Sequence, residues 1–277
     1  MMDFILHNGK IIREMEYQPG VNWWNDDLQF KQEMWFAHGE IPHFYHLYND
    51  FIGLMNHLDK SIPDNFPPPS ELLRLISRLI NKNKAFMGGW VCNRFFFREK
   101  SWEYVVSVRP HPDRLFPLDP NGKMGVISPL IKSSGHPLSG TFFFSETLWK
   151  TERIRSGKNP DEVSVFLNEK GIITETEGAN LFCILRDQLI TPSTETGCVI
   201  DIMREYVLQS ARSIGFRIIE SLSLTPVALN GMEEVFTVSE GKGFTWMKGI
   251  GGKRYLKTGA ELIWRQVNKS SFAGGVN

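Results

Sequence analysis

The sequence predicts an α+β fold, and three observations carry that expectation. Helix-period and strand-period segments are mixed along the 277 residues without the regular strand–helix–strand spacing of a doubly wound sheet. The second half is richer in strand-like runs than the first. Between them lies "RPHPDRLFPLDPNGK" (109–123), rich in Pro and Asp, which reads as a crossing between domains. The length suits one large domain or two smaller ones.

The elements follow in order. Asn8-Gly9 between "DFILH" and "KIIREMEY" predicts a hairpin, because both turn positions need positive φ. His38-Gly39 predicts a second one, between "FKQEMWF" and "EIPHF". Residues 45–60 carry Leu47, Phe51, Leu54, Met55 and Leu58 on one helical stripe. "PDNFPPPS" breaks structure, and Ser70 is placed to cap a helix through "ELLRLISRLINK". Strands are expected at 90–98, 103–109 and 125–131. "EVSVFLN", "IITET", "NLFCILRD" and "QLITP" read as a meander. Asp201 is placed to cap a helix with a stripe of Met203, Val207, Ala211 and Ile214, ended by Gly215. "RIIES", a short helix opened by Thr225-Pro226, "EVFTVS", the loop "EGKGF" and a final helix "GAELIWRQVNK" complete the chain.

Composition excludes several classes. Basic and acidic residues both number 31, so no net charge draws the chain to nucleic acid or to an anionic membrane. The three cysteines are far apart, against a disulfide framework or a zinc site. No apolar run approaches the roughly 18 residues of a membrane span. The N-terminus lacks the apolar core of a signal peptide. These features predict a soluble, cytoplasmic protein.

Few constellations suggest chemistry. His43 and His46 stand three apart without a third ligand, which favours packing or solvation over a metal. Ser133-Ser134-Gly135 lacks the second glycine of a nucleophile elbow. "EGKGF" (240–244) is either a phosphate cradle around Lys242 or a plain turn. The helix at Asp201 offers the free N–H groups that any helix start offers. "GIITETEGANLF" (171–182) is more pointed. If the strand runs on through it, Glu175 and Glu177 share one face, either as a solvated pair or as carboxylates facing a cation.

Taken together, Thr174-Glu175, Asn180, Leu181-Phe182, Thr191-Pro192 and Ile202-Met203-Arg204 resemble the signature of the class IV pyridoxal-phosphate aminotransferases. That family includes 4-amino-4-deoxychorismate lyase, D-amino acid aminotransferase and branched-chain aminotransferase. Weaker similarity runs over most of the chain. The resemblance implies the fold-type IV two-domain architecture. A small α/β domain would cover 1–115 and a larger β-rich domain 116–277, with a cofactor cleft between them. It also implies a homodimer acting on a small amino acid or anionic ligand, with pyridoxal phosphate as cofactor. Glu175 would face the pyridine nitrogen and keep it protonated, while Glu177 falls to a solvated or polar-network position. Asn180 belongs to the same pattern. Backbone N–H groups of Ile202 and Met203 would meet the cofactor phosphate, as would the turn at Glu240-Gly241.

The same resemblance exposes two departures. The lysine that forms the Schiff base should fall at Thr141 or Phe142, and neither is a lysine. The nearest lysines, Lys132 and Lys150, are each nine residues from Thr141. The phosphate-clamping arginine is replaced by Asn49, which cannot imitate a bidentate guanidinium. Two readings follow. One is a pseudoenzyme that binds a small anion, a cofactor or a partner without Schiff-base chemistry. The other is a lyase or transaminase that uses a substitute lysine such as Lys242. The missing nucleophile favours the first, with Phe142 filling the space of the lost stem and Lys242 meeting a phosphate.

Overall fold

The computed structural model describes residues 3–17, 28–62, 66–97, 102–157 and 159–271. Part of the expected Pro-rich break (63–65) and the last residue of the strand expected at 90–98 lie outside them. The chain divides into two compact units, one ending at Leu115 and the other beginning at Phe116.

In the first unit, β1 (Phe4–His7) and β2 (Lys10–Arg13) form the hairpin expected at Asn8-Gly9, with φ of +43° and +81° at the turn. β3 (Leu28–Ala37), β4 (Gly88–Phe97) and β5 (Trp102–His111) complete an antiparallel sheet of order β2-β1-β5-β4-β3. Helices α1 (Phe44–His57) and α2 (Pro69–Lys82) join it. Phe51, Phe66, Phe95, Trp102 and Tyr104 form an aromatic cluster, with Phe51 stacked on Phe95 at 4.0 Å.

Two local expectations are corrected here. After the turn at His38-Gly39 the second strand shrinks to one bridge, Ala37 with Glu40, because Pro42 has no N–H to donate and α1 begins at once. Ser70 is not the cap of α2. Pro68 holds that position and Pro69 opens the helix with its φ already preset.

The second unit is a mixed sheet with three helices among the described residues. Its strands are β6 (Leu118–Lys132), β7 (Glu162–Asn168), β8 (Ile173–Thr176), β9 (Asn180–Leu185), β10 (Gln188–Pro192), β11 (Arg217–Ser221), β12 (Glu234–Ser239), β13 (Gly243–Ile250) and β14 (Lys253–Arg254). The order is β11-β10-β9-β12-β13-β6-β7-β8, with β14 beside β13. Parallel neighbours need long crossovers. α3 (Phe142–Ser156) supplies one between β6 and β7, and α4 (Ile202–Ser213) supplies another between β10 and β11. The last helix, α5 (Thr258–Ser271), is held at its start by Glu234, whose carboxylate accepts from Gly259 N and Ala260 N. β6 starts earlier than 125, because it pairs with β13 from Leu118 onward.

The expected meander is two hairpins instead. Among the named strands of the described residues, β8 pairs with β7, and β9 pairs with β10 and β12. The chain turns at 177–179, where Gly178 has φ of +68°. The strand therefore ends at Thr176, and Glu177 lies in the turn rather than beside Glu175 on a continuous strand.

Gly197 closes a short turn after Thr194–Thr196 with φ of +79°, and a Cβ there would lie 2.7 Å from Ser134 Cα. Gly197→Ala is expected to destabilise the protein by about 2 kcal/mol, through backbone strain and overlap together. Urea unfolding with an unchanged m-value is the measurement. A midpoint equal to wild type would show that this approach is not tight.

Candidate functional site

The second unit carries a buried polar centre, built around Glu175. Lys132 stands opposite Asn168 on β7, and Glu175 stands opposite Phe166, two residues along the same strand. Both side chains therefore rise from one sheet face. They meet as an ion pair of 2.5 Å, and neither is exposed to solvent. The second Glu175 oxygen accepts from Trp149 Nε1 on α3 at 3.0 Å. Val199 N donates to Glu175 as well, at 2.6 Å. Burial pushes the Glu175 carboxyl up from the ordinary carboxylate range, against the pull of Lys132 and of the two N–H donors.

The segment after Val199 is strapped to the same centre. Asn180 Nδ2 donates to Val199 O, and Asp201 N donates to Asn180 Oδ1 at 3.4 Å. Asp201 caps α4 as the sequence predicts, accepting from Met203 N at 2.8 Å. Its carboxylate also accepts from Glu240 N, at 3.1 and 3.2 Å. One carboxylate thus spans the start of α4 and the turn that leaves β12. Arg204 is buried one turn into α4. It donates to Thr191 Oγ1, Pro192 O and Glu220, so it locks β10 to β11.

The other residues singled out in the sequence are placed as follows. Thr141 is the N-cap of α3, accepting from Phe144 N at 3.2 Å and donating to Leu138 O at 2.7 Å. Phe142 packs edge-on against Trp149, with centroids 5.3 Å apart. Gly140 O accepts from Ile200 N, which ties this turn to the strapped segment. Ile202 is half-buried and Met203 buried. Glu240 is buried and Gly241 half-buried. Lys242 donates to the Glu177 carbonyl oxygen. Glu177 is buried in a polar network with Arg153 at 2.9 Å and Ser164 N at 3.3 Å, as one of its two sequence readings has it. Asn49 lies exposed on α1 in the first unit. His43 is buried and His46 sits 3.8 Å from Asp50. No group of three metal-binding side chains occurs among the described residues, and no helix is long and apolar enough to cross a membrane. Lys132 is the residue that sequence reasoning passed over. Its only signal is a lysine ending an apolar strand, "GVISPLIK", where a solvated side chain would be the default.

Known proteins can be set against this geometry. The model of the family described as amino-transferase class IV matches residues 67–250. No curated protein matches the chain. The fold is similar to branched-chain amino acid aminotransferase from Thermobaculum terrenum in its PLP form, with a TM-score of 0.81 and 16% identity over 98% of this chain and 95% of that one. It is similar to the branched-chain aminotransferase of Thermoproteus uzoniensis with norvaline, at 0.80 and 16% over 97% and 96%. A putative 4-amino-4-deoxychorismate lyase from Legionella pneumophila gives 0.72 and 14% over 88% and 91%. At such identities the likeness is one of fold.

The residues present do not fit pyridoxal phosphate. The carboxylate that would face a pyridinium already holds an ammonium and two N–H groups. Met203 N and Glu240 N, which would meet a phosphate, instead point at a carboxylate.

Removing one member of a buried pair leaves an uncompensated charge. Lys132→Met is therefore expected to lose about 3 kcal/mol, and Lys132→Met with Glu175→Gln to regain most of it. Chemical denaturation of the two single variants and the double variant checks this. Additive losses in the double variant would mean that the two groups do not couple.

Proposed function

The chain belongs to the class IV amino-transferase family, and we propose that it is a member without Schiff-base chemistry, a pseudoenzyme acting as a binding protein rather than a transaminase or lyase. One observation carries this reading. Thr141, at the position the resemblance assigns to the lysine, is committed through its hydroxyl to the start of α3. A hydroxyl cannot condense with an aldehyde to give an imine. A covalent catalyst deprived of its amine keeps only positioning and electrostatics.

Among the described residues, the two lysines closest to this role are both engaged. Lys242 is drawn to the Glu177 carbonyl, and Lys132 is closed against Glu175. The thiols are poor nucleophiles. Burial pushes Cys92 up to about 11, and pushes Cys183 and Cys198 above their ordinary value. An amino acid or small anionic ligand and a homodimer belong to the proposal on the sequence resemblance, and residence in the cytoplasm on composition.

The test is reductive trapping. The protein is incubated with pyridoxal phosphate, reduced with borohydride and mapped by peptide mass. The expected result is no visible absorption band and no stoichiometric label. One equivalent of label at Lys242 or Lys132, with a visible band beforehand, would overturn the proposal.

A further inference from the structure

Two buried side chains of this unit carry charges of opposite sign on partners that family resemblance assigns to a cofactor. Lys132 places an ammonium 2.5 Å from Glu175 with no exposed surface. Asp201 places a carboxylate on Met203 N and Glu240 N, and is itself buried. A pyridoxal phosphate molecule presents the same two features, a ring N–H cation at one end and an anion at the other. The two side chains are linked through the protein: Lys132 to Glu175, Glu175 to Val199 N, Val199 O to Asn180, and Asn180 to Asp201 N.

We propose that Lys132 and Asp201 are built-in counterions that take over both charged ends of the cofactor position, so that the unit folds complete without a cofactor and excludes one. This deepens the pseudoenzyme reading and rests on it. It goes further in one respect. Loss of the Schiff-base lysine removes a covalent bond and leaves non-covalent affinity possible, whereas the counterions abolish that affinity too.

The physical argument is one of saturation. A carboxylate in a dry interior needs its donors, and Glu175 has three. A pyridinium could reach it only by displacing Lys132, whose ammonium would then be buried without a partner. A phosphate approaching the start of α4 would meet the Asp201 carboxylate, which already holds Met203 N and Glu240 N. Close packing adds to the exclusion. Phe142 and Trp149 stand against Phe166 and Val199 in one apolar cluster beside the pair.

The experiment uses pyridoxamine 5′-phosphate. It has no aldehyde and forms no Schiff base with any lysine, so its result is independent of the trapping test. Binding is read by calorimetry and by Trp fluorescence on the full chain. Wild type is expected to show no saturable binding up to about 1 mM. Lys132→Ala, which removes both the charge and the stem, is expected to gain at least about tenfold in affinity and to melt at a temperature that rises with ligand concentration. Micromolar binding by wild type would overturn the proposal even if trapping fails. No binding by a folded Lys132→Ala variant would overturn it as well. Should Lys132→Ala not fold, Asp201→Asn carries the test, because asparagine still caps a helix. Its affinity for inorganic phosphate should rise at least about threefold over wild type, and an unchanged affinity would sink the phosphate half of the assignment.

Discussion

The contact between Lys132 and Glu175 organises the second unit. Two opposite charges in a dry interior are costly to bury and costlier to separate. Every neighbouring element is placed so as to leave neither charge alone. α3 brings the Trp149 indole, β8 brings the carboxylate, the end of β6 brings the ammonium, and the segment before α4 brings Val199 N. Asn180 and Asp201 extend that order to the start of α4 and to the turn after β12. Nearby, Glu152 meets Arg155 and Ser164, and Glu177 meets Arg153. Three carboxylates are thus buried, Glu152 on α3, Glu175 on β8 and Glu177 in the turn after it, each with a cation beside it.

Much of the fold was legible in the sequence where local chemistry dictates it. Asn8-Gly9 forms its hairpin because the turn needs positive φ, and Asp201 caps α4 because its carboxylate reaches Met203 N. Thr174-Glu175 through Arg204 formed a pattern specific enough to suggest the family. The sequence reading failed where tertiary context decided. Ser70 lost its cap to a proline pair, and the meander broke at Gly178, two residues beyond the last strand position of β8. The site was harder still. Counting residues could show that Thr141 is no lysine. It could not show that Lys132, nine residues earlier, turns inward, because alternation around Pro129 is interrupted by a register shift in β6.

On the proposed reading, the centre also explains how the fold would tolerate the loss of Schiff-base chemistry. A carboxylate left from a cofactor site would be a buried charge without a partner, and such a charge destabilises. Here Glu175 is hydrogen-bonded from three sides. Phe142 beside Trp149 closes the remaining space with aromatic surface.

The Lys132–Glu175 pair has a consequence for descent. Coupled residues change sign of effect with context, so the order in which substitutions occur matters. On the proposed reading, an imine-forming variant would need Thr141 to become lysine and give up the cap of α3, while Lys132 would have to leave Glu175. Each change alone lowers stability, and neither alone restores chemistry. On that reading, single steps toward such a variant would each cost stability before any chemistry appeared. The buried pair would then act as a ratchet, keeping such a chain on one side of a valley through the contact between Lys132 and Glu175.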